Sequence, residues 1–290
     1  MDSIPQFRLQ ETEIKSLVDE LRVKDVNKAG PGQILLDFEG PNMQQKKALK
    51  LFKYVDPKLL EKETYRRFAK LTEFFEPQTG IAEKETQAKK KAVDEFIESL
   101  LNTTVWRRLY EFLNKKGHPF AKTLDTFRHW IRQLWFAQYS RAKGIPDTSG
   151  FEHIFMGEFK KGEVSGMHSW LRFFLLERNA SQQLHYLGFS TRRANVMATV
   201  KFTWKNNLKP SGSFFIGSSP EFEMAVDTLC FLSSRPRGPC KFELEQCPFS
   251  MTSYDLIQKE KLYIGTIYPT AGKMTDTCRR CNMNGTKNCM

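Results

Sequence analysis

The hydrophobic period of this 290-residue chain changes once, near Arg141-Ala-Lys-Gly-Ile-Pro-Asp-Thr-Ser-Gly150, and that change restricts the folds open to it. Before the break, apolar residues recur at steps of three and four. Ala92, Phe96, Ile97 and Leu100 form one such stripe, and Leu124, Phe127, Ile131, Leu134 and Trp135 form another. Residues spaced this way share one face of a helix. After the break, Val200–Trp204, Ser213–Ile216, Lys241–Glu245 and Lys261–Tyr268 are short, rich in aromatic and β-branched residues, and bounded by Asn, Gly, Pro or Ser, as strands are. Ser218-Ser-Pro-Glu-Phe-Glu223 carries a capping hydroxyl, a first-turn Pro and early carboxylates, which predicts a helix running on through Leu232. Strands and helices without regular alternation argue for an α+β fold. We expect a helical lobe over residues 1–145, a lobe of short antiparallel sheets with packed helices over 146–270, and a flexible tail over 271–290. Trp170, Trp204, Phe214 and Phe215 are assigned to the core, the Lys89-Lys90-Lys91 run to a solvated helix face, and His118 and His129 to structural positions.

The net charge of +12 suits a polyanionic partner such as nucleic acid, although an anionic membrane surface or simple solubility accounts for it equally well. No apolar run is long enough to cross a bilayer. The start, Met1-Asp-Ser-Ile-Pro-Gln6, lacks the basic-then-apolar order of a secretory signal, which predicts an intracellular chain of cytoplasm or nucleus, with secretion as the alternative. All six cysteines lie in the last third. Cys278-Arg-Arg-Cys281 has the spacing of half a zinc site but no second pair to complete it, so a tail with free or paired thiols is the preferred reading. Asn102, Asn179 and Asn284 head glycosylation-type tripeptides, which carry no meaning without secretion.

The densest polar chemistry is in Phe151–Trp170, where His153 and His168 are accompanied by Glu152, Glu158, Glu163, Lys160 and Lys161, with Gly157, Gly162 and Gly166 at turns or close approaches. Two imidazoles can supply a general base and a general acid near neutral pH. Met167, Trp170, Leu171, Phe174 and Leu175 form an apolar stripe with Ser165 as a plausible cap, which predicts His168 in the first turn of a helix. A helix start disfavours an imidazolium and favours an anion, so His168 is the expected base.

These residues carry a family resemblance. Glu152-His-Ile-Phe-Met-Gly-Glu158, Gly166-Met-His-Ser-Trp170, Lys209-Pro-Ser-Gly-Ser-Phe-Phe-Ile-Gly-Ser-Ser-Pro-Glu-Phe-Glu223 and Tyr263-Ile-Gly-Thr-Ile-Tyr-Pro269 resemble, in order, the signature segments of the EndoU family of poly(U)-specific endoribonucleases. Leu51–Asp56 and Leu134–Arg141 extend the resemblance into the helical half, so that it covers about residues 50 to 270 and makes one EndoU-type domain of the two lobes. The nidoviral uridylate-specific endoribonucleases are similar in the same constellation.

The resemblance implies cleavage of single-stranded RNA on the 3′ side of uridines, leaving a 2′,3′-cyclic phosphate. It places the catalytic histidines on His153 and His168, the catalytic lysine on Lys209, the uracil-contacting serine on Ser213 and the stacking tyrosine on Tyr268. It also implies a divalent cation, manganese or calcium, which we expect away from the reacting phosphate, with Glu152 and Glu158 as supporting or metal-linked carboxylates. The expected partner is uridine-containing RNA, with no membrane, and the expected state a monomer. Two rivals remain: a metal-centred phosphodiesterase using water as nucleophile, and an RNA-binding protein without turnover.

Overall fold

The computed structural model describes residues 7–38, 50–142, 144–235 and 238–284. The first half is helical, as its periodicity predicts. Helix α1 (Glu11–Lys24) is followed by a small antiparallel pair, β1 (Ile34–Leu36) with β2 (Phe52–Val55), then α2 (Pro57–Leu60), α3 (Glu63–Leu71), α4 (Gln87–Leu101), α5 (Thr104–Lys115) and α6 (Leu124–Phe136). Threonines start the last three: Thr86, Thr103 and Thr123 each accept a backbone N–H from the first turn, a cap worth about 1 kcal/mol. The predicted stripes face inward, except that Leu124 is exposed at the start of α6. One charge in the lysine run leaves the expected solvated face. Lys89 is buried, ion-paired with Glu83 and Glu85 and lying over the Phe75 ring, while Lys90 and Lys91 remain exposed.

A short antiparallel pair, β3 (Gln138–Tyr139) with β4 (Thr148–Ser149), marks the junction, and two larger sheets follow it. The larger has the order β5-β6-β9-β8-β7, from β5 (Glu158–Lys160), β6 (Glu163–Ser165), β7 (Leu184–Arg193), β8 (Met197–Trp204) and β9 (Asn207–Phe215). Its pairs are antiparallel apart from the single β6–β9 contact at Glu163 and Leu208. The smaller is an antiparallel meander of β10 (Pro239–Leu244), β11 (Cys247–Gln258) and β12 (Lys261–Ala271). Strands β7 and β11 fall outside the sequence-predicted set. β7 shows no clean alternation and has irregular register around Gly188, and β11 begins Cys-Pro.

Helix α8 (Pro220–Ser234) joins the sheets and is the axis of the molecule, buried from Pro220 to Ser233. Its predicted cap forms: the Ser219 hydroxyl accepts the Phe222 N–H at 3.1 Å. Three indoles fasten its surroundings. Trp106 donates to the Glu221 carbonyl at 2.9 Å, Trp135 to the Thr228 hydroxyl at 3.0 Å and Trp170 to the Ser218 carbonyl at 2.8 Å. Apolar packing runs as one cluster from Ile14 to Cys278, so both lobes share a core. Helix α1 also crosses the expected lobe boundary, pairing Lys15 with Glu243 and Arg22 with Glu245.

The flexible tail expected over 271–290 needs correction at Asp276–Asn284, and residues 285–290 lie outside the described residues. Residues Asp276–Asn284 form helix α9, and Cys278 is bonded to Cys247 at the start of β11. A second bridge, Cys230–Cys240, ties α8 to β10, and Cys281 is also disulfide-bonded. The half zinc site is therefore excluded, because both of its sulfurs are committed to disulfides.

Candidate active site

Residues Glu152–Met156 form a π-helical turn, closed by the Gly157 N–H donating to the Glu152 carbonyl five residues back at 2.9 Å. Such turns are rare and cluster at functional sites. Its apolar side is anchored in the helical half: Phe151 packs against Phe68, Phe96 and Phe136 with ring centroids 5.8, 5.5 and 4.8 Å away. The polar side presents His153.

The second histidine reaches the first through backbone geometry. Gly166 and Met167 both have positive φ, and the chain bends so that Met167 donates its N–H to the His153 carbonyl at 3.0 Å and His168 donates to the Ile154 carbonyl at 2.6 Å. Only glycine fits at 166, since a Cβ there would stand 1.7 Å from the His153 carbonyl oxygen. The predicted cap is displaced. Ser165 ends β6, and Ser169 caps helix α7 (Trp170–Arg178) by accepting the Arg172 N–H. His168 thus precedes the cap instead of occupying the first turn, and its N–H is already bonded within the protein.

Hydrogen bonding defines each imidazole. His168 Nδ1 lies 2.8 Å from the Ser213 backbone carbonyl, which can only accept, so Nδ1 carries the proton and Nε2 keeps its lone pair. Burial holds the His168 pKa well below its ordinary value, with the Lys209 charge next in weight, so the ring is neutral without help from a helix dipole. His153 Nδ1 lies 2.9 Å from Glu158 Oε2, and its Nε2 lies 3.2 Å from the Thr266 hydroxyl on β12. Burial lowers its pKa also, while the Glu158 carboxylate pushes the other way.

Glu158 is itself held in place. Thr148 donates to one of its oxygens, and Arg141 Nε stands 3.4 Å from the other. Its pKa stays below the usual value although burial opposes ionisation, because the His153 and Arg141 side chains and the Thr148 hydroxyl favour the carboxylate. Arg141 also donates to the Tyr139 hydroxyl at 3.0 Å and to the carbonyl of Gly265, the neighbour of Thr266. Arg141 thus touches the Glu158 carboxylate that faces His153 Nδ1 and the backbone next to Thr266, which faces Nε2.

Lys209 is buried on β9, and burial brings its pKa down to about 8. Its side chain folds back over Gly212, where a Cβ would stand 3.2 Å from Cγ and 3.3 Å from Cε. Ser213 follows on the same strand. The Tyr268 ring lies near-parallel to His168, with centroids 5.3 Å apart and planes at 26°. The structure thus brings His153, His168, Lys209, Ser213 and Tyr268 to one cleft between β9, the π turn and β12.

Glu152 stands apart from this group. Its carboxyl is fully buried on the side of α4 and α6, lining a cavity of about 180 Å³ with Lys89, His129 and Arg132. Burial, then the Glu83 and Glu158 charges, push its pKa well above the usual value. His118 is structural as expected: it caps a short 3₁₀ turn by accepting the Phe120 N–H at 3.1 Å, and burial lowers its pKa to about 4.

Thr266, Thr148 and Arg141 were not among the sequence candidates. Thr266 had a legible signal: in Gly-Thr-Ile-Tyr it stands two residues from Tyr268, hence on the same strand face. Arg141 and Thr148 had none, because their role depends on a carboxylate reached only through the fold.

Residues 13–269 match the family model described as Endoribonuclease XendoU. Uridylate-specific endoribonuclease D of Xenopus laevis is 34% identical over 274 residues, covering 89% of this chain and 88% of the relative. The human uridylate-specific endoribonuclease is 34% identical over 270 residues, which span 88% of this chain and 65% of that protein. A solved structure of XendoU, titled a splicing independent snoRNA processing endoribonuclease, superposes with a TM-score of 0.76 at 30% identity, covering 90% of this chain and 97% of the other.

Proposed function

The chain belongs to the XendoU family of endoribonucleases, and from that membership we propose that it cleaves single-stranded RNA after uridines, with His168 as base, His153 as acid and Lys209 as electrostatic support. The observation that carries this reading is that each imidazole is fixed through Nδ1 to an acceptor, the Ser213 carbonyl or the Glu158 carboxylate, which turns both Nε2 atoms away from those acceptors, that of His153 against the Thr266 hydroxyl.

The reaction needs one proton removed and one delivered. His168 Nε2 takes the proton of the uridine 2′-hydroxyl, the 2′-oxygen bonds to phosphorus, and the bond to the 5′-oxygen of the next nucleotide breaks as His153 Nε2–H protonates it. The products are a 2′,3′-cyclic phosphate and a 5′-hydroxyl. His153 must begin protonated although burial opposes this. The arriving phosphodiester anion adds to the Glu158 charge in favouring the imidazolium, so substrate binding itself charges the acid. Lys209, already desolvated, meets the charge that grows on the free phosphoryl oxygens, where a lost donor costs about 3–4 kcal/mol in comparable sites.

Uridine choice rests on the Ser213 hydroxyl, with Tyr268 offering a ring face. Because the Ser213 carbonyl also fixes His168, a uracil held by the hydroxyl brings its ribose to the base. All these residues come from one chain, and we propose that it acts as a monomer.

The centre does not suit a divalent ion. Glu158 is engaged by His153, Thr148 and Arg141, Glu152 faces another cavity, and no group of three or more His, Cys, Asp or Glu among the described residues is arranged to hold a metal. Any manganese or calcium effect is proposed to act on RNA affinity or on the active fraction.

A uridine phosphodiester with sulfur in place of the 5′-leaving oxygen tests the assignment, since a thiolate leaves without protonation. His153→Ala should lose activity on the oxygen substrate by at least a hundredfold and recover on sulfur, whereas His168→Ala should stay inactive on both. Recovery of His168→Ala, or none for His153→Ala, would reverse or remove the two roles.

The disulfides favour an oxidising compartment over the intracellular one expected from the start of the chain. We propose maturation there. Protein taken from its natural source and denatured without reductant should then show Cys230, Cys240, Cys247 and Cys278 unreactive toward a thiol reagent, and reactive thiols at these positions would restore the intracellular reading.

A further inference from the structure

Asn102-Thr103-Thr104, Asn179-Ala180-Ser181 and Asn284-Gly285-Thr286 have the form of glycosylation acceptors, none with Pro in the middle position. Such a pattern means nothing in a reducing compartment. Under the oxidising maturation proposed from the Cys230–Cys240 and Cys247–Cys278 bridges, the chain meets the enzymes that load acceptors of this kind. The first two tripeptides lie wholly within the described residues, whereas Gly285 and Thr286 of the third lie outside them.

Asn179 stands where helix α7 ends, and a short 3₁₀ turn over Ala180–Gln182 follows it. Asn179 and Ser181 are both exposed. Asn179 Oδ1 accepts the Ser181 N–H at 3.1 Å and the Ser181 hydroxyl at 2.8 Å. A backbone N–H can only donate, so the atom it meets is the amide oxygen, and Nδ2 is left unengaged by Ser181. Two donors on the oxygen draw the amide toward its imidate form, which gives Nδ2 a lone pair to offer an electrophile. His168 lies just before the other end of α7, about 13 Å away along the helix, so a group added at Asn179 starts well away from the catalytic pair.

Asn102 ends α4 with its N–H bonded back to the Glu98 and Leu100 carbonyls, and Thr103 then caps α5. Asn102 and Thr104 are exposed, and among the described residues no hydrogen bond holds the Asn102 side-chain amide. Asn102 lines an open groove of about 670 Å³ together with Val26 and Glu98. Val26 is 74% exposed, an apolar surface that sugars rooted at Asn102 would cover.

We propose that Asn102 and Asn179 are N-glycosylation sites, loaded from a lipid pyrophosphate-linked oligosaccharide. Nδ2 attacks C1 of the first sugar. The Nδ2–C1 bond forms, the bond from C1 to the pyrophosphate oxygen breaks with its electron pair leaving on the pyrophosphate, and one amide proton is released. Both sites depend on the oxidising maturation proposed above.

Protein from its natural source, kept unreduced, is treated with a peptide-N-glycosidase in heavy-oxygen water, which turns a glycosylated Asn into Asp carrying the heavy oxygen. Peptide mass spectrometry should find that label at positions 102 and 179 after treatment and at neither before it. In the full chain made in the same cells, Thr104→Ala and Ser181→Ala should each remove one glycan step in gel mobility, while Thr104→Ser and Ser181→Thr keep it. Unlabelled Asn at either position with the bridges intact, or a step retained in the corresponding alanine variant, would overturn that site and leave the oxidising compartment standing. Unlabelled Asn together with reactive thiols at the four bridge cysteines would overturn the compartment, and both sites with it.

Discussion

Glu158 shows how one residue sets the behaviour of another. It is buried, yet its carboxylate persists because His153, Arg141 and Thr148 all favour the charged form. In return it is the group that pushes the His153 pKa upward against burial. Glu158→Gln keeps an acceptor for Nδ1 but removes the charge, so the His153 pKa must fall. A general acid is active only while protonated, so activity that is lost as pH rises should be lost at lower pH in the variant. The alkaline limb of kcat/KM against pH is expected to move toward acid by a unit or so, about 1.4 kcal/mol of lost interaction. A sulfur leaving group should erase the difference between variant and wild type. If the limb stays in place while the rate falls uniformly, Glu158 merely shapes the site.

Three elements deliver the cleft, and each does so through a departure from regular geometry. The π turn at Glu152–Met156 inserts a residue that rotates His153 toward the cleft while Phe151 and Phe155 remain packed in the helical core. The Gly166-Met167 bend brings the second histidine against the first turn. The β11–β12 ribbon contributes Thr266 and Tyr268 two residues apart, about the spacing at which one strand can address two neighbouring imidazoles. The bridge from Cys247 to Cys278 fastens α9 to the end of this ribbon opposite its hairpin turn. Replacing both cysteines with serine should cost about 2–4 kcal/mol of unfolding free energy by freeing the unfolded chain. Cleavage at uridine should be retained at temperatures where the fold persists. A loss of kcat in a fully folded variant would mean that α9 supports the cleft directly.

For the molecule as a whole, the shared core matters more than the division into lobes. Trp106, Trp135 and Trp170 come from α5, α6 and α7, yet all bond to the α8 region, so the helical half and the sheets cannot move independently without breaking buried hydrogen bonds. Arg141 sits at the junction and reaches both the Glu158 carboxylate and the Gly265 carbonyl. Its place at the change of hydrophobic period is where the helical half hands over to the sheets. The surroundings of His153 are assembled from both halves. The +12 net charge adds a long-range attraction for a polyanion that no single residue supplies.

Much of this is legible in the sequence, and the reason is local. Helix stripes at 92–100 and 127–135, the Ser219-Pro220 cap, four of the strands, and the five residues carried by the family motifs all depend on neighbours a few positions away or on motif order. What stayed hidden depends on groups far apart in the chain. The pairing of Cys247 with Cys278, the burial of Lys89 against Glu83, the displacement of the cap from Ser165 to Ser169, and the separation of Glu152 from the cleft are examples. So are the clamp from Arg141 to Glu158 and the contact of Thr266 with His153, because a carboxylate's partner and an imidazole's tautomer are set by whatever the folded chain places within about 3 Å. Residue types and their order specified which chemistry was present. Burial and long-range hydrogen bonding determined which nitrogen holds the proton.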